Sequence, residues 1–359
     1  MANFVQKENI FLRIVKYLIP WKGDSIGEII RKIIFLVAAI VLVVSLVLLL
    51  TQTTDRIEDN KTNDIISDLY HGNIDTTSDV LSGGSTVLEL DTSRQEEIRK
   101  ENPEVLDEFI PLLEINEDVV GWISVGDADK PFIDYPVVQC EDNDYYLKHD
   151  LRGNYSESGA VFADFREPLA SADSEPANII LYGHNVASGE YFGMLPRYYN
   201  YKPGNTGGLS YYKAYPTFTY SSLYEKYTYK IFAGMMVNTE KSEGDVFYYL
   251  RGRNFETKAD FDEYIANILD RTTFYTDVDL QYGDHLMTLS TCIVDYGVPA
   301  RWVLFGRRVR EGEDPSVDVE KAYENPDPLY FDFYYKNFSK KDGWDGRKWP
   351  AEMIYGYSY

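Results

Sequence analysis

The chain has 359 residues, a formal net charge of −23, 44% hydrophobic and 26% charged side chains, and two cysteines, Cys140 and Cys292. The apolar content is that of a folded chain, and the length leaves room for segments appended to a core domain. The acidity argues against nucleic acid as a partner, because phosphate binding needs a basic face. The sequence has no CxxC pair, HExxH or Cys/His cluster, which argues against a metal site, and two distant cysteines do not make a disulfide scaffold.

The charge is unevenly spread. Residues 1–32 carry Lys7, Arg13, Lys16, Lys22, Arg31 and Lys32 against Glu8, Asp24 and Glu28, a net +3, so −26 falls on the rest. Then comes "IIFLVAAIVLVVSLVLLL", Ile33 to Leu50, apolar except for Ser45 and long enough as a helix to cross about 30 Å of hydrocarbon. It exceeds the roughly 7–15 residues of a signal-peptide apolar region, and no small-residue cleavage site follows. The expectation is a cytoplasmic basic segment over 1–32, a single transmembrane anchor in the lipid bilayer over 33–51, and an extracellular remainder by the positive-inside rule.

Residues 52–94 are rich in Thr, Asp, Ser and Asn without a sustained period, as in a linker or stalk, and His71 within them reads as solvated. From Arg94, "RQEEIRKENPEVLDEFIPLLEIN" has helical spacing interrupted by Pro103 and Pro111, so short helices lead into a domain over 95–311. Eight β-branched or aromatic runs follow: "VVGWISV", "FIDYPVV", "AVFAD", "NIILYG", "TFTY", "YTYKIFAGMMV", "LMTLSTC" and "RWVLFGRRV". Eight short strands bounded by Gly, Pro, Asn and Asp indicate a mainly β barrel or sandwich. Between the sixth and seventh, Thr257 caps a helix whose apolar face holds Phe261, Tyr264, Ile265, Ile268 and Leu269. Residues 312–359 form an acidic, then Tyr-rich tail with no clear period.

In "LMTLSTC", strand alternation puts Cys292, Ser290 and Thr288 on one face. Gly297 and Pro299 suit a turn, and an antiparallel return brings Arg301 beside Cys292. A guanidinium there favours thiolate and can donate to a developing oxyanion. Of the histidines, His285 lies seven residues before Cys292 on the same strand, roughly 23 Å away at about 3.3 Å per residue, and on the other face. His149, in "YYLKHD", reads as a solvated loop residue. His184 ends the buried run "NIILYGHN", where a rigid strand delivers it at a sheet end.

"NIILYGHN", "TLSTC" and the following Arg301 resemble the His, TLxTC and Arg signatures of sortases, the surface cysteine transpeptidases of Gram-positive bacteria. "LLEINEDVVGWISV", "YPVVQCEDNDYYLKHDLRGNYSESGAVFADFR" and the helix near 257–271 are similar to class B features, and the likeness spans about 95–311 together with the anchor. The resemblance implies an eight-stranded β-barrel with N-terminal helices and no cofactor. It implies Cys292 as the nucleophile on a Thr carbonyl in the C-terminal sorting signal of a secreted protein. It gives His184 the role of general acid/base and Arg301 that of stabiliser of substrate and oxyanion. A thioester forms and is resolved by an amine of a peptidoglycan cross-bridge or a pilin.

Ser290, Thr291 and Asn185 flank these residues as candidate substrate contacts. Cys140 reads as a buried or partly buried spectator, and a disulfide to Cys292 would abolish the nucleophile. Asp295, between Cys292 and Arg301, is either a solvated loop acid or an orienting group for His184 or substrate. No "DPW" or "DPF" lid signature occurs in residues 51–120, which favours wall attachment over pilin polymerisation. The alternatives are an extracellular cysteine hydrolase using the same residues and an anchored, non-catalytic surface protein.

Overall fold

A computed structural model describes residues 15–74, 80–83, 86–169, 176–199, 207–239, 241, 246–293, 300–331 and 334. Two compact units divide at Asn60 and Lys61. Helix α1 (Ile26–Tyr70) begins in the first unit. It is long and apolar enough there to cross a membrane, and Ile34, Leu42 and Leu49 on it are exposed rather than packed in a core. Near its start Lys32 pairs with Asp24 at 2.7 Å and donates to the Lys16 carbonyl.

In the second unit the polar stretch expected as a linker is helical as far as Tyr70. The reason is tertiary: Thr62, Ile65, Ile66 and Leu69 share one face and are buried, and burial of such a face stabilises a helix that propensity alone would not. Tyr70 stacks on Trp122 with centroids 4.1 Å apart and planes 3° apart, an aromatic pairing that adds to its area burial. A hairpin of β1 (Val80–Gly83) and β2 (Thr86–Glu89) follows. Then come the short helices α2 (Thr92–Glu101), whose N-cap Asp91 accepts from Ser93 N–H, and α3 (Ile110–Ile115), with Pro111 in its first turn.

The eight runs read from sequence as strands are the eight strands of a closed barrel. They are β3 (Val119–Asp127), β4 (Lys130–Val138), β5 (Val161–Ala163) and β6 (Asn178–Tyr182). After helix α4 (Leu209–Ala214) come β7 (Thr217–Ser222) and β8 (Lys226–Asn238). Helix α5 (Lys258–Arg271) and the short β9 (Phe274–Tyr275) precede β10 (Leu286–Ile293) and β11 (Ala300–Arg308). The order around the barrel is β10-β11-β8-β7-β3-β4-β5-β6. It closes where β6 runs parallel to β10. Thr257 and Asp260 cap α5 reciprocally, satisfying two otherwise orphaned backbone donors.

The start of the tail is folded onto this domain. Strand β12 (Tyr323–Glu324) pairs with β9, Leu329 N–H donates to the Asp270 carbonyl, and Leu329 and Phe331 are buried. At the end of β11 away from Cys292, fully buried Arg307 grips Glu313 through both Nη atoms at 2.5 and 2.6 Å, and Lys230 reaches the same carboxylate.

Candidate active site

Two neighbouring strands and the turn after a third carry the expected residues. In the β10–β11 ladder Cys292 is the direct partner of Arg301. On the other side of β10, the parallel β6–β10 ladder ends at the Ser290–Tyr182 pair, and His184 lies two residues further on, in the turn after β6. Cys292 and Arg301 are both half-buried. Arg301 Nη1 donates a hydrogen bond to Cys292 Sγ, setting a permanent positive charge against the sulfur, where it stabilises negative charge. Both cysteines are free thiols.

The turn after β6 is stitched to β10 by side chains on either side of the pair. Thr291 Oγ1 donates to the Gly183 carbonyl at 2.7 Å, and Asn185 Nδ2 donates to the Cys292 carbonyl at 2.8 Å. Phe192 N–H closes the turn on the His184 carbonyl at 3.0 Å. His184 Nε2 lies 2.8 Å from the Leu147 carbonyl. A carbonyl only accepts, so Nε2 carries a proton.

The candidate substrate contacts are engaged within the fold. Ser290 and Thr291 are buried; the Ser290 hydroxyl is 2.8 Å from the Tyr249 hydroxyl, while Thr291 and Asn185 make the bonds just described.

The remaining histidines lie elsewhere. His285 immediately precedes β10, beyond the Leu286–Arg307 pair that ends the ladder opposite Cys292. Burial, and then the nearby Arg308, depress its pKa. His149 donates through Nδ1 to the Tyr145 carbonyl and stacks on that ring. His71 bonds Asp134 at 2.9 Å and is partly exposed. Cys140 is half-buried; its thiol donates to the Asp142 carbonyl at 3.3 Å, and desolvation raises its pKa. Asp295 lies outside the described residues. Among the described residues no His, Cys, Asp or Glu cluster suits a metal.

What sequence reasoning missed is the set of backbone carbonyls, at Leu147, Gly183 and Cys292, that hold the histidine turn. A carbonyl acceptor has no residue-type signature, although the polar side chains that reach two of them, Thr291 and Asn185, were visible beside the motifs.

No protein-family model matches the chain. It is similar to sortase B of Listeria monocytogenes, with 34% identity over 191 residues that cover 53% of this chain and 69% of that protein. Sortase B of Staphylococcus aureus is 29% identical over 193 residues, covering 54% of this chain and 70% of that protein. The fold is shared with the crystal structure of sortase B from Bacillus anthracis in complex with AAEK1, with a TM-score of 0.52 at 23% identity, covering 72% of this chain and 99% of that one. The chain belongs to the class B sortases, and it is a cysteine transpeptidase of that family.

Proposed function

We propose that this sortase cuts a C-terminal sorting signal of secreted proteins after a Thr and joins the new carboxyl end to an amine of peptidoglycan or of a pilin. Support comes from one observation above all, Arg301 and Cys292 paired on adjacent strands with the guanidinium bonded to the sulfur, and His184 in the turn after β6 that Asn185 ties to the Cys292 carbonyl. Cys292 Sγ attacks the Thr carbonyl carbon, and the peptide C–N bond breaks as His184 gives its proton to the departing amine. Arg301 donates to the oxyanion that appears in between. The acceptor amine then attacks the thioester, its proton passes to His184, and the thiolate leaves. We assign residues 1–32 to the cytoplasm, 33–51 to the bilayer and the catalytic domain, 95–311, to the outside of the cell; the exposed apolar helix supports the anchor, and the basic residues before it support the orientation.

The test uses the full chain in detergent with a panel of sorting-signal peptides, with and without triglycine. Amine-dependent ligation and a thioester trapped on Cys292 are expected. Hydrolysis indifferent to added amine would favour a cysteine hydrolase, and no thioester at all a non-catalytic surface protein.

A further inference from the structure

We propose that Tyr191 is a positioning residue for His184 and that Asn63, near the end of α1, acts through it. This rests on the reading of His184 as the acid/base. Tyr191 is the one non-glycine residue with positive φ among the described residues, at 52°, a conformation that a bulky side chain holds only when its surroundings impose it. It sits opposite Asn185 in a β-bridge, and the next residue, Phe192, bonds the His184 carbonyl at 3.0 Å. The backbone at Tyr191 therefore sets the return limb of the turn that carries the imidazole.

Two holds keep it there. Its ring stacks on Tyr135 with centroids 4.9 Å apart and planes 12° apart. Its own hydroxyl accepts from Asn63 Nδ2 at 3.2 Å. Asn63 is not an isolated contact. Asn63, Ser67 and His71 recur at four-residue intervals, one helical face carried into the turn after Tyr70, and Ser67 and His71 both bond Asp134, the neighbour of Tyr135 on β4. Trp122 Nε1 holds the other oxygen of Asp134 at 2.7 Å. The last turns of α1 and the histidine turn are thus fastened to adjacent residues of one strand and to each other.

The experiment is steady-state kinetics and thermal unfolding of the full chain in detergent. Tyr191→Phe removes the hydroxyl and keeps the ring; Asn63→Ala removes the donor. Each is expected to lower kcat roughly three- to tenfold, a fraction of what a ~1 Å misplacement costs, with KM within about twofold and an unchanged unfolding midpoint. The double variant should lose no more than either alone, since both break one link. Asn63→Asp reverses the bond, its carboxylate accepting from the Tyr191 hydroxyl, and should restore kcat. Wild-type kcat in Tyr191→Phe and Asn63→Ala, additive losses, or losses that track a lowered midpoint would overturn the proposal. Inactive His184→Ala alongside normal Tyr191→Phe would sink this inference alone; active His184→Ala would sink the reading beneath it.

Discussion

Cys292 and Arg301 face each other directly across the β10–β11 ladder, and the guanidinium hydrogen-bonds the sulfur. A planar fork held in register by the sheet can follow charge from sulfur to carbonyl oxygen without moving its backbone. Arg301→Lys keeps the charge but loses the fork. It is expected to lower kcat/KM by about 10–100-fold, and Arg301→Ala by about 10²–10³, with little change in unfolding midpoint. Peptide-cleavage kinetics on the folded variants check this; near-wild-type activity in Arg301→Ala would remove the residue from the mechanism.

Cys292→Ala and His184→Ala are each expected to abolish turnover, whereas His149→Ala and His285→Ala stay within a few-fold of the parent. His149 is occupied by Tyr145, and His285 lies at the opposite end of β10. The same peptide assay decides it, and comparable losses in all four would mean Cys292 and His184 are not the reacting centre.

Gly183 leaves room that a side chain would take. A Cβ there would stand 2.7 Å from the Phe192 ring, which is fully buried. Gly183→Ala should destabilise by about 1–3 kcal/mol through overpacking and lower kcat more than its stability loss explains, because Phe192 also closes the His184 turn. Urea unfolding beside kinetics on the residual folded fraction separates the two effects.

Glu313 should shape acid stability. The hydrogen bonds from Arg307, then that from Lys230, hold its carboxyl well below the usual carboxylate range. Its folded pKa is lowered, so its contribution is complete above the unfolded value of about 4.3 and is lost as pH falls through the much lower folded value. Glu313→Gln leaves buried Arg307 with the mostly exposed Asp279, 3.4 Å away, as its carboxylate partner and should cost up to about 3 kcal/mol at neutral pH. Its stability should also fall less steeply than the parent's below about pH 4. Unfolding curves from pH 2 to 7 test both parts.

The strands were readable because their signal is local. Each of the eight runs, from "VVGWISV" to "RWVLFGRRV", carries its own β-branched and aromatic content, and all eight became barrel strands. The Thr257 cap was local in the same way. The pairing of Cys292 with Arg301 needed only a turn and an antiparallel return. By contrast, helix at residues 61–70 depends on Thr62, Ile66 and Leu69 finding a surface elsewhere in the chain, so composition read as a linker. The Leu147 carbonyl that fixes the His184 proton comes from 37 residues upstream, and no pattern within either segment announces the other.

The barrel closes at the parallel contact between β6 and β10, segments more than a hundred residues apart in sequence. The turn that carries His184 is tied to β10 across that seam, by Thr291 at the Gly183 carbonyl and by Asn185 at the Cys292 carbonyl. A chain whose barrel has not yet shut can already pair Cys292 with Arg301, which follow one another on β10 and β11, but it lacks the histidine turn beside them.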